Sequence, residues 1–425
     1  MKAVVFTLGC KVNDVESGSL IRGLEGLGYI VSRYIEDGAD LYIINTCAVT
    51  AEAERKSRQT VGKAIKAVKA GQNAKIIVCG CASQRDARQF FDKSENVFYV
   101  SGAQAKNRIL ELAAAGFPAE SRGICLEDSG KTYEEMPTPE CLKTRNFVKI
   151  QDGCNRFCSY CIIPYLRGRS RSRALSSVVE EVLSSSAAET VLTGIDISDY
   201  RDKNGNTFVD LLLALKDAPT RIRLGSIEVS LITDEFLSAA KRVKQFAPQF
   251  HLSLQSGSNA VLKSMNRHYT REEYLAACQK IYKAFPNASI TTDIIVGFPT
   301  ETEEDFLQSV KIVEEAGFLQ VHAFPYSPRQ GTVAFRKYKE LPAAVKKERV
   351  ELLLQKAAKV KEKYLEKTVG KELSVVWEYC SQGYWEGYSD NYVRVYVENK
   401  TGKEPTRVCV EKLFKDGVLA VETAK

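Results

Sequence analysis

The stretch Phe147-Val-Lys-Ile-Gln-Asp-Gly-Cys-Asn-Arg-Phe-Cys-Ser-Tyr-Cys-Ile-Ile-Pro164 decides how this chain is read. An apolar run over 147–150 reads as a strand, Gly153 ends it, and Cys154, Cys158 and Cys161 follow at C-x3-C-x2-C spacing. Zinc sites usually gather four ligands from Cys or His pairs, and no fourth Cys or His stands nearby. Three thiolates on one tight loop after a strand suit a [4Fe–4S] cube with one iron left open to a small molecule. A buried cysteine cluster or a zinc knuckle would have to explain strand, loop and spacing by coincidence.

Outward from this loop, strand and helix patterns alternate. Runs at 147–150, 190–192, 222–224, 250–254, 289–296 and 319–324 read as strands separated by helix-length segments, which predicts a complete or partial (β/α) barrel with its chemistry at the carboxyl ends of the strands. A charged helical stretch, 345–366, closes this part. Toward the amino terminus, runs at 3–8, 41–44, 76–78 and 97–100 alternate with helical patterns and predict parallel βαβ units. Residues 118–140 lose periodicity, carry Pro118, Pro137 and Pro139, and collect Glu127, Asp128, Glu134 and Glu135, as a linker does. Beyond 366 helical signals vanish, and runs at 375–377, 392–397 and 406–410 predict a small β-barrel holding both tryptophans, Trp377 and Trp385. The expected class is α/β: an N-terminal parallel α/β sandwich domain at 1–120, a linker at 121–142, a central (β/α) partial barrel at 143–366 and a small all-β barrel at 367–425.

The chain has 425 residues, 44% hydrophobic and 27% charged, which is globular composition and excludes a disulfide-stapled miniprotein or a low-complexity chain. The first apolar run is too short for a signal-peptide core, and no stretch approaches the roughly 18 apolar residues of a membrane span. A cytoplasmic location is expected, and there twelve cysteines point to metal or redox chemistry rather than disulfides. Three histidines in no paired spacing, His251, His268 and His322, offer little to a zinc or Ser-His-Asp site.

Cys10, Cys47 and Cys81 each follow an apolar run at its carboxyl end, and in an open parallel sheet such ends converge on one edge. They are either ligands of a second cluster or buried small hydrophobes, and placement alone leaves both open. Cys125, Cys141, Cys278, Cys380 and Cys409 have no comparable placement, while Cys79 competes with Cys81.

The C-x3-C-x2-C loop resembles that of the radical S-adenosylmethionine (SAM) superfamily. With Gly9-Cys10-Lys-Val-Asn13, Asn45-Thr-Cys47-Ala-Val-Thr50 and Gly80-Cys81, the whole chain resembles the methylthiotransferase family. The resemblance implies an N-terminal methylthiotransferase domain, a central barrel of radical-SAM type and a C-terminal TRAM barrel that binds RNA. It implies two [4Fe–4S] clusters, one on Cys154, Cys158 and Cys161 and one on Cys10, Cys47 and Cys81. The first, reduced by a flavodoxin-type donor, would cleave SAM to a 5′-deoxyadenosyl radical that takes hydrogen from C2 of a modified adenine; the second would deliver a methylated sulfur, whose source stays open.

Gly-Cys-Lys-Val-Asn, Asn-Thr-Cys-Ala-Val-Thr and Arg167-Gly-Arg-Ser-Arg-Ser-Arg173 are similar to the branch (MtaB) acting on N6-threonylcarbamoyladenosine of tRNA beside the anticodon. The same chemistry on isopentenyladenosine tRNA or a ribosomal protein is the nearest rival, and a noncatalytic metal-stabilised RNA-binding protein is the rival of another class.

Thr193-Gly194-Ile195-Asp196 stands where the superfamily often has Gly-Gly-Glu, so Gly194, Asp196, Glu228, Gln255 and Asp293 are expected around SAM. Sixty Lys and Arg against 53 Asp and Glu leave a net charge of +7. Residues 143–173 hold Lys143, Arg145, Lys149, Arg156, Arg167, Arg169, Arg171 and Arg173 against Asp152 alone, as a polyanion-binding patch would. Arg167, Arg169, Arg171 and Arg173 are expected on tRNA phosphates, and Trp377 and Trp385 on bases.

Overall fold

The computed structural model describes residues 1–69, 72–126, 130, 132–140, 144–398, 400 and 402–423. Glu127, Asp128, Cys141 and Lys143 lie outside the described residues. Two compact units are present, one of residues 1–140, 149–173 and 327–336, the other of 141–148, 174–326 and 337–425.

The first unit is built on six parallel strands: β1 (Lys2–Thr7), β2 (Ile30–Ser32), β3 (Leu41–Thr46), β4 (Lys75–Gly80), β5 (Val97–Ser101) and β6 (Gly123–Cys125), in the order β2-β1-β3-β4-β5-β6. Strands β3 to β5 are buried along nearly their whole length because helices cover both faces, as a parallel sheet requires. One face packs Tyr42, Ile44, Ile76 and Val78, the other Val5, Leu41, Ile43 and Ile77. Edge strands β2 and β6 have three residues each, too few for periodicity to reveal. The stretch read as a linker supplies β6, and Met136 packs on the second face.

In the second unit the barrel strands are β7 (Arg145–Lys149), of which 145–148 belong here, β10 (Glu189–Thr193), β11 (Arg221–Leu224), β12 (Ser226–Ile227), β13 (Gln249–Leu252), β14 (Ser289–Val296) and β15 (Gln320–Pro325). They form sheets ordered β11-β10-β7 and β12-β13-β14-β15. Between β7 and β10 in sequence, the short pair β8 (Gln151–Asp152) and β9 (Arg171–Ser172) belongs to the first unit. Three of the helices that follow the strands open on capping boxes at Thr207, Thr270 and Thr302, where the hydroxyl and a carboxylate three residues on satisfy otherwise orphaned amides.

The last five strands, β16 (Glu372–Ser381), β17 (Tyr384–Ser389), β18 (Arg394–Glu398), β19 (Thr406–Phe414) and β20 (Gly417–Glu422), close into a barrel ordered β16-β17-β18-β20-β19, with β19 pairing back to β16. Its core corrects the expectation for Trp377. Trp377 is fully buried and donates Nε1 to Thr406 Oγ1 at 2.9 Å, so no base can reach its faces. Trp385 is half-buried and packs on the same core. Trp377 went inside because a barrel this small needs its largest apolar side chain to fill it.

Nor is this barrel independent. Glu189 is buried, bonded by Arg223 through Nε and Nη2 at 2.8 and 2.7 Å and by Arg145 at 2.5 Å. The same arginines continue into the small barrel, joined by Arg221: Arg223 to Ser389 O at 3.0 Å, Arg221 to Ser374 Oγ at 2.7 Å, and Arg145 to Glu378. Tyr388 and Tyr392 stack at 4.7 Å and take Arg145 and Arg223 on their faces. These tyrosines serve packing.

Two outcomes follow. Burial alone would raise the Glu189 carboxyl, but Arg223, then Arg145 and Arg221, hold it at about 2 against an ordinary 4.5. A lowered carboxyl stabilises fully above 4.5 and loses that contribution as pH falls toward 2, so Glu189→Gln should cost about 3 kcal/mol near neutrality and little at pH 2, read as the melting difference between variant and parent across pH. Ending the chain at 366 removes the partners of three buried guanidinium groups; the truncated protein should melt several degrees lower, and an unchanged melting temperature would show that water replaces those partners.

Candidate metal centres

Cys10, Cys47 and Cys81 are set by the three adjacent strands β1, β3 and β4. Cys10 caps the helix Lys11–Gly26, Cys47 directly follows β3, and Cys81 opens the helix Cys81–Arg85 directly after β4. Two glycines in the left-handed region allow this approach. A Cβ on Gly9 (φ +113°) would stand 3.1 Å from Cys47 Sγ, and one on Gly80 (φ +102°) 2.4 Å from Thr46 O. Asn13 ties the strand ends together, donating to Leu8 O at 2.8 Å and Thr46 O at 3.1 Å. Ser57 Oγ bridges Cys47, accepting from its N–H and donating to its carbonyl, each at 3.0 Å.

The Cys47 and Cys81 thiols feel their neighbours. Burial pushes the Cys47 thiol up to about 11, and the Cys81 and Cys10 thiols add to the rise. Burial also raises Cys81, against a pull from Arg167. Cys79 sits one side-chain reversal away, in the core on the opposite face of the sheet, where burial pushes it up to about 12. Soft sulfur donors at the ends of three adjacent strands, on a glycine-lined edge, fit an iron–sulfur cluster, which would supply the charge compensation that buried thiolates need.

The second thiol set lies on a loop closed by β8 and β9, with Gln151 opposite Ser172 and Asp152 opposite Arg171. Gly153 (φ +71°) is obligatory, since its Cβ would lie 2.0 Å from Arg169 O. Cys154 N–H donates to Gly168 O at 3.1 Å, Cys161 N–H to Cys158 O at 3.0 Å, and Arg156 N–H points to Cys154 Sγ at 3.4 Å. Phe157, also at positive φ, lies between Tyr165 (5.6 Å) and the Arg169 guanidinium (4.4 Å). A tight turn carrying three sulfurs, with a backbone N–H aimed at one of them, fits a cluster with three protein ligands.

The basic stretch behaves differently from its sequence expectation. Arg167 is 0% exposed, Arg171 5% and Arg173 7%. Arg167 reaches Glu16 at 2.8 Å, Asp152 at 3.0 Å and Asn13 at 2.8 Å; Arg171 reaches Asp152 at 3.1 Å; Arg173 reaches Glu135 at 2.9 Å. Buried and paired, these three are removed from the phosphate-binding set; Arg169 is exposed and Arg156 half-exposed, and both keep that expectation.

The residues expected around SAM lie in the second unit. Gly194 follows β10, and Asp196 is buried two residues on. Glu228 accepts from Arg267 through both carboxylate oxygens, at 2.6 and 2.5 Å, so its carboxylate is already engaged. Gln255 has φ +67° and bridges to β14, donating its N–H to Asp293 O at 2.8 Å and accepting from Ile295 at 2.9 Å. Asp293 lies 3.3 Å from His251 Nε2, while His251 Nδ1 meets Thr291 Oγ1 at 2.9 Å. His322 is opposite Asp293 in register, and ligand-type atoms of His251, Asp293 and His322 lie within 4.8 Å of one another. Scattered sequence positions hid this trio. Parallel register across β13, β14 and β15 brings it together, and the polar alternation of these strands was the available signal.

Residues 148–313 match the radical SAM superfamily, and residues 2–102 match an uncharacterized protein family, UPF0004. A threonylcarbamoyladenosine tRNA methylthiotransferase of Thermotoga maritima is 37% identical over 99% of this chain and 97% of its own length. One of Bacillus subtilis is 36% identical over 95% and 92%. A tRNA-2-methylthio-N(6)-dimethylallyladenosine synthase of Alkaliphilus oremlandii is 36% identical over 87% and 81%. Among solved structures, the radical SAM methyltransferase TsrM of Kitasatospora setae overlaps with a TM-score of 0.56 at 14% identity, covering 77% of this chain and 76% of its own, a likeness of fold. Two thiol triads on this scaffold and relatives of that identity along the full length lead to one conclusion: the chain belongs to the methylthiotransferase family of radical-SAM enzymes, which use S-adenosylmethionine and two [4Fe–4S] clusters.

Proposed function

We propose that this enzyme converts N6-threonylcarbamoyladenosine next to the anticodon of tRNA to its 2-methylthio derivative. The observation that carries the reading is the presence in one compact unit of two separate three-thiol sets, one on a loop and one at a sheet edge. One set serves radical initiation, and the other serves sulfur transfer. The relatives named for threonylcarbamoyladenosine and the wording Gly9-Cys-Lys-Val-Asn13 favour this substrate over dimethylallyladenosine, for which relatives of similar identity are named.

When bound, the first cluster, reduced by an external electron donor, and SAM would supply the radical, and the second cluster would supply the methylated sulfur needed to replace an unactivated C–H bond. The chain's own residues hold and orient. Cys154, Cys158 and Cys161 hold the first cluster on a loop pinned at both ends, and Cys10, Cys47 and Cys81 hold the second. Gly194, Asp196, Gln255 and Asp293 orient SAM from the strand ends, and Glu228 fixes Arg267 beside them. Arg156 and Arg169 meet phosphate.

Mass spectrometry of tRNA nucleosides from cells with and without the gene tests the substrate; 2-methylthio-N6-threonylcarbamoyladenosine should disappear with it, and loss of the dimethylallyl counterpart instead would overturn the assignment. Cys158→Ala should reduce 5′-deoxyadenosine formation to background. Cys47→Ala should lower bound iron by about half, keep SAM cleavage measurable and stop methylthio transfer. Cys81→Ala should behave like it, and Cys79→Ala like the parent; the reverse pattern would exchange the two thiols. Replacing Arg156 and Arg169 by Gln should flatten the slope of log K against log salt for tRNA by roughly 0.7–0.9 for each phosphate no longer neutralised.

A further inference from the structure

Six ionisable groups of the first unit form one buried network. Glu16 accepts from Arg167 at 2.8 Å, Lys149 at 2.7 Å and Lys106 at 3.0 Å; Asp152 accepts from Lys149 at 2.8 Å, Arg167 at 3.0 Å and Arg171 at 3.1 Å. Every member is less than a tenth exposed. Four cations therefore face two carboxylates, and among the described residues no third carboxylate lies within ion-pair distance of these cations. A buried charge without a counter-charge costs several kcal/mol, so a network left with two surplus positive charges needs an anion.

The place for that anion is marked by geometry. Arg167 donates to Asn13 Oδ1 at 2.8 Å, the same oxygen that accepts from the Cys10 thiol at 3.8 Å, and the Asn13 amide ties together the strand ends below Cys10 and Cys47. The Arg167 peptide carbonyl is held by Gln104 at 3.0 Å and Arg171 at 2.7 Å, so the residue is fixed from both ends. A [4Fe–4S] cluster on three thiolates is a monoanion when oxidised and a dianion when reduced.

We infer that the surplus positive charge of this network is the counter-charge of the cluster on Cys10, Cys47 and Cys81, and that Arg167 is the positioning residue that brings it to that cluster. The inference rests on the ligand assignment proposed above. A fixed cation beside the cluster favours the more negative, reduced state, so it raises the reduction potential and keeps the sulfur-bearing centre easier to reduce than its three thiolates alone would allow. Arg167, which sequence reading placed on RNA, would thus serve the cluster.

The test uses the full chain carrying Cys154→Ala, Cys158→Ala and Cys161→Ala, so that one cluster remains, with iron content and midpoint potential followed by electron paramagnetic resonance during redox titration. Absence of iron in this parent would overturn the ligand assignment itself. With the cluster present, Arg167→Gln should move the potential negative, Arg167→Lys should restore most of it, and Glu16→Gln, which removes an anion, should move it positive. Should Arg167→Gln fail to hold iron, Lys106→Met replaces it and should move the potential negative. Opposite signs for cation and anion removal would not arise from general loosening; unchanged potentials, or shifts of one sign, would overturn the inference.

Discussion

Glu16 accepting Arg167, Lys149 and Lys106 at once is the contact on which the first unit depends. Its carboxyl sits on the helix that begins just after Cys10, while Arg167 and Lys149 come from the segment carrying the second thiol set. Burial opposes ionisation of Glu16, yet the Arg167, Lys106 and Lys149 charges hold its carboxyl well below the usual range. Asp152, one residue before the glycine that opens the cysteine loop, repeats the pattern from the other side. One ion network thereby fixes where both thiol sets stand within the unit.

A comparable device anchors the small barrel in the second unit. Glu189 is surrounded by Arg145, Arg221 and Arg223, and each guanidinium also directs a donor or its flat face to β16, β17 or the turn after it. Such networks are specific because a buried charge tolerates few alternative geometries. Together they withdraw from solvent Arg145, Arg167 and Arg171 of the basic stretch that looks like a nucleic-acid ligand in the sequence. Charge counting along the chain reports composition, whereas phosphate binding needs exposure.

Strand periodicity was legible for all of the long elements of the central barrel. The strands at 189–193, 221–224, 249–252 and 289–296 stand within two residues of where alternation and length put them. Strands β2, β6 and β17 were not legible: two are three-residue edges, and β17 is Tyr- and Glu-bearing with Gly387 in its middle. The loop cysteines were readable because all three are local and tightly spaced. The sheet-edge cysteines were readable as a pattern of strand ends, while the choice between Cys79 and Cys81 required knowing which face of the sheet each side chain takes.

By itself the sequence determined the layered α/β architecture, the closing β-barrel, the C-x3-C-x2-C loop and the family, since each is written in local spacing or in short motifs. Tertiary structure alone decided the environments. Whether Arg167 meets a phosphate or a carboxylate depends on Glu16, 151 positions away, and whether His251 and His322 meet Asp293 depends on the register of three parallel strands. Trp377 became core because a closed five-stranded barrel has one interior to fill. Burial and partner identity are set by contacts far apart in the chain, and no local pattern encodes them.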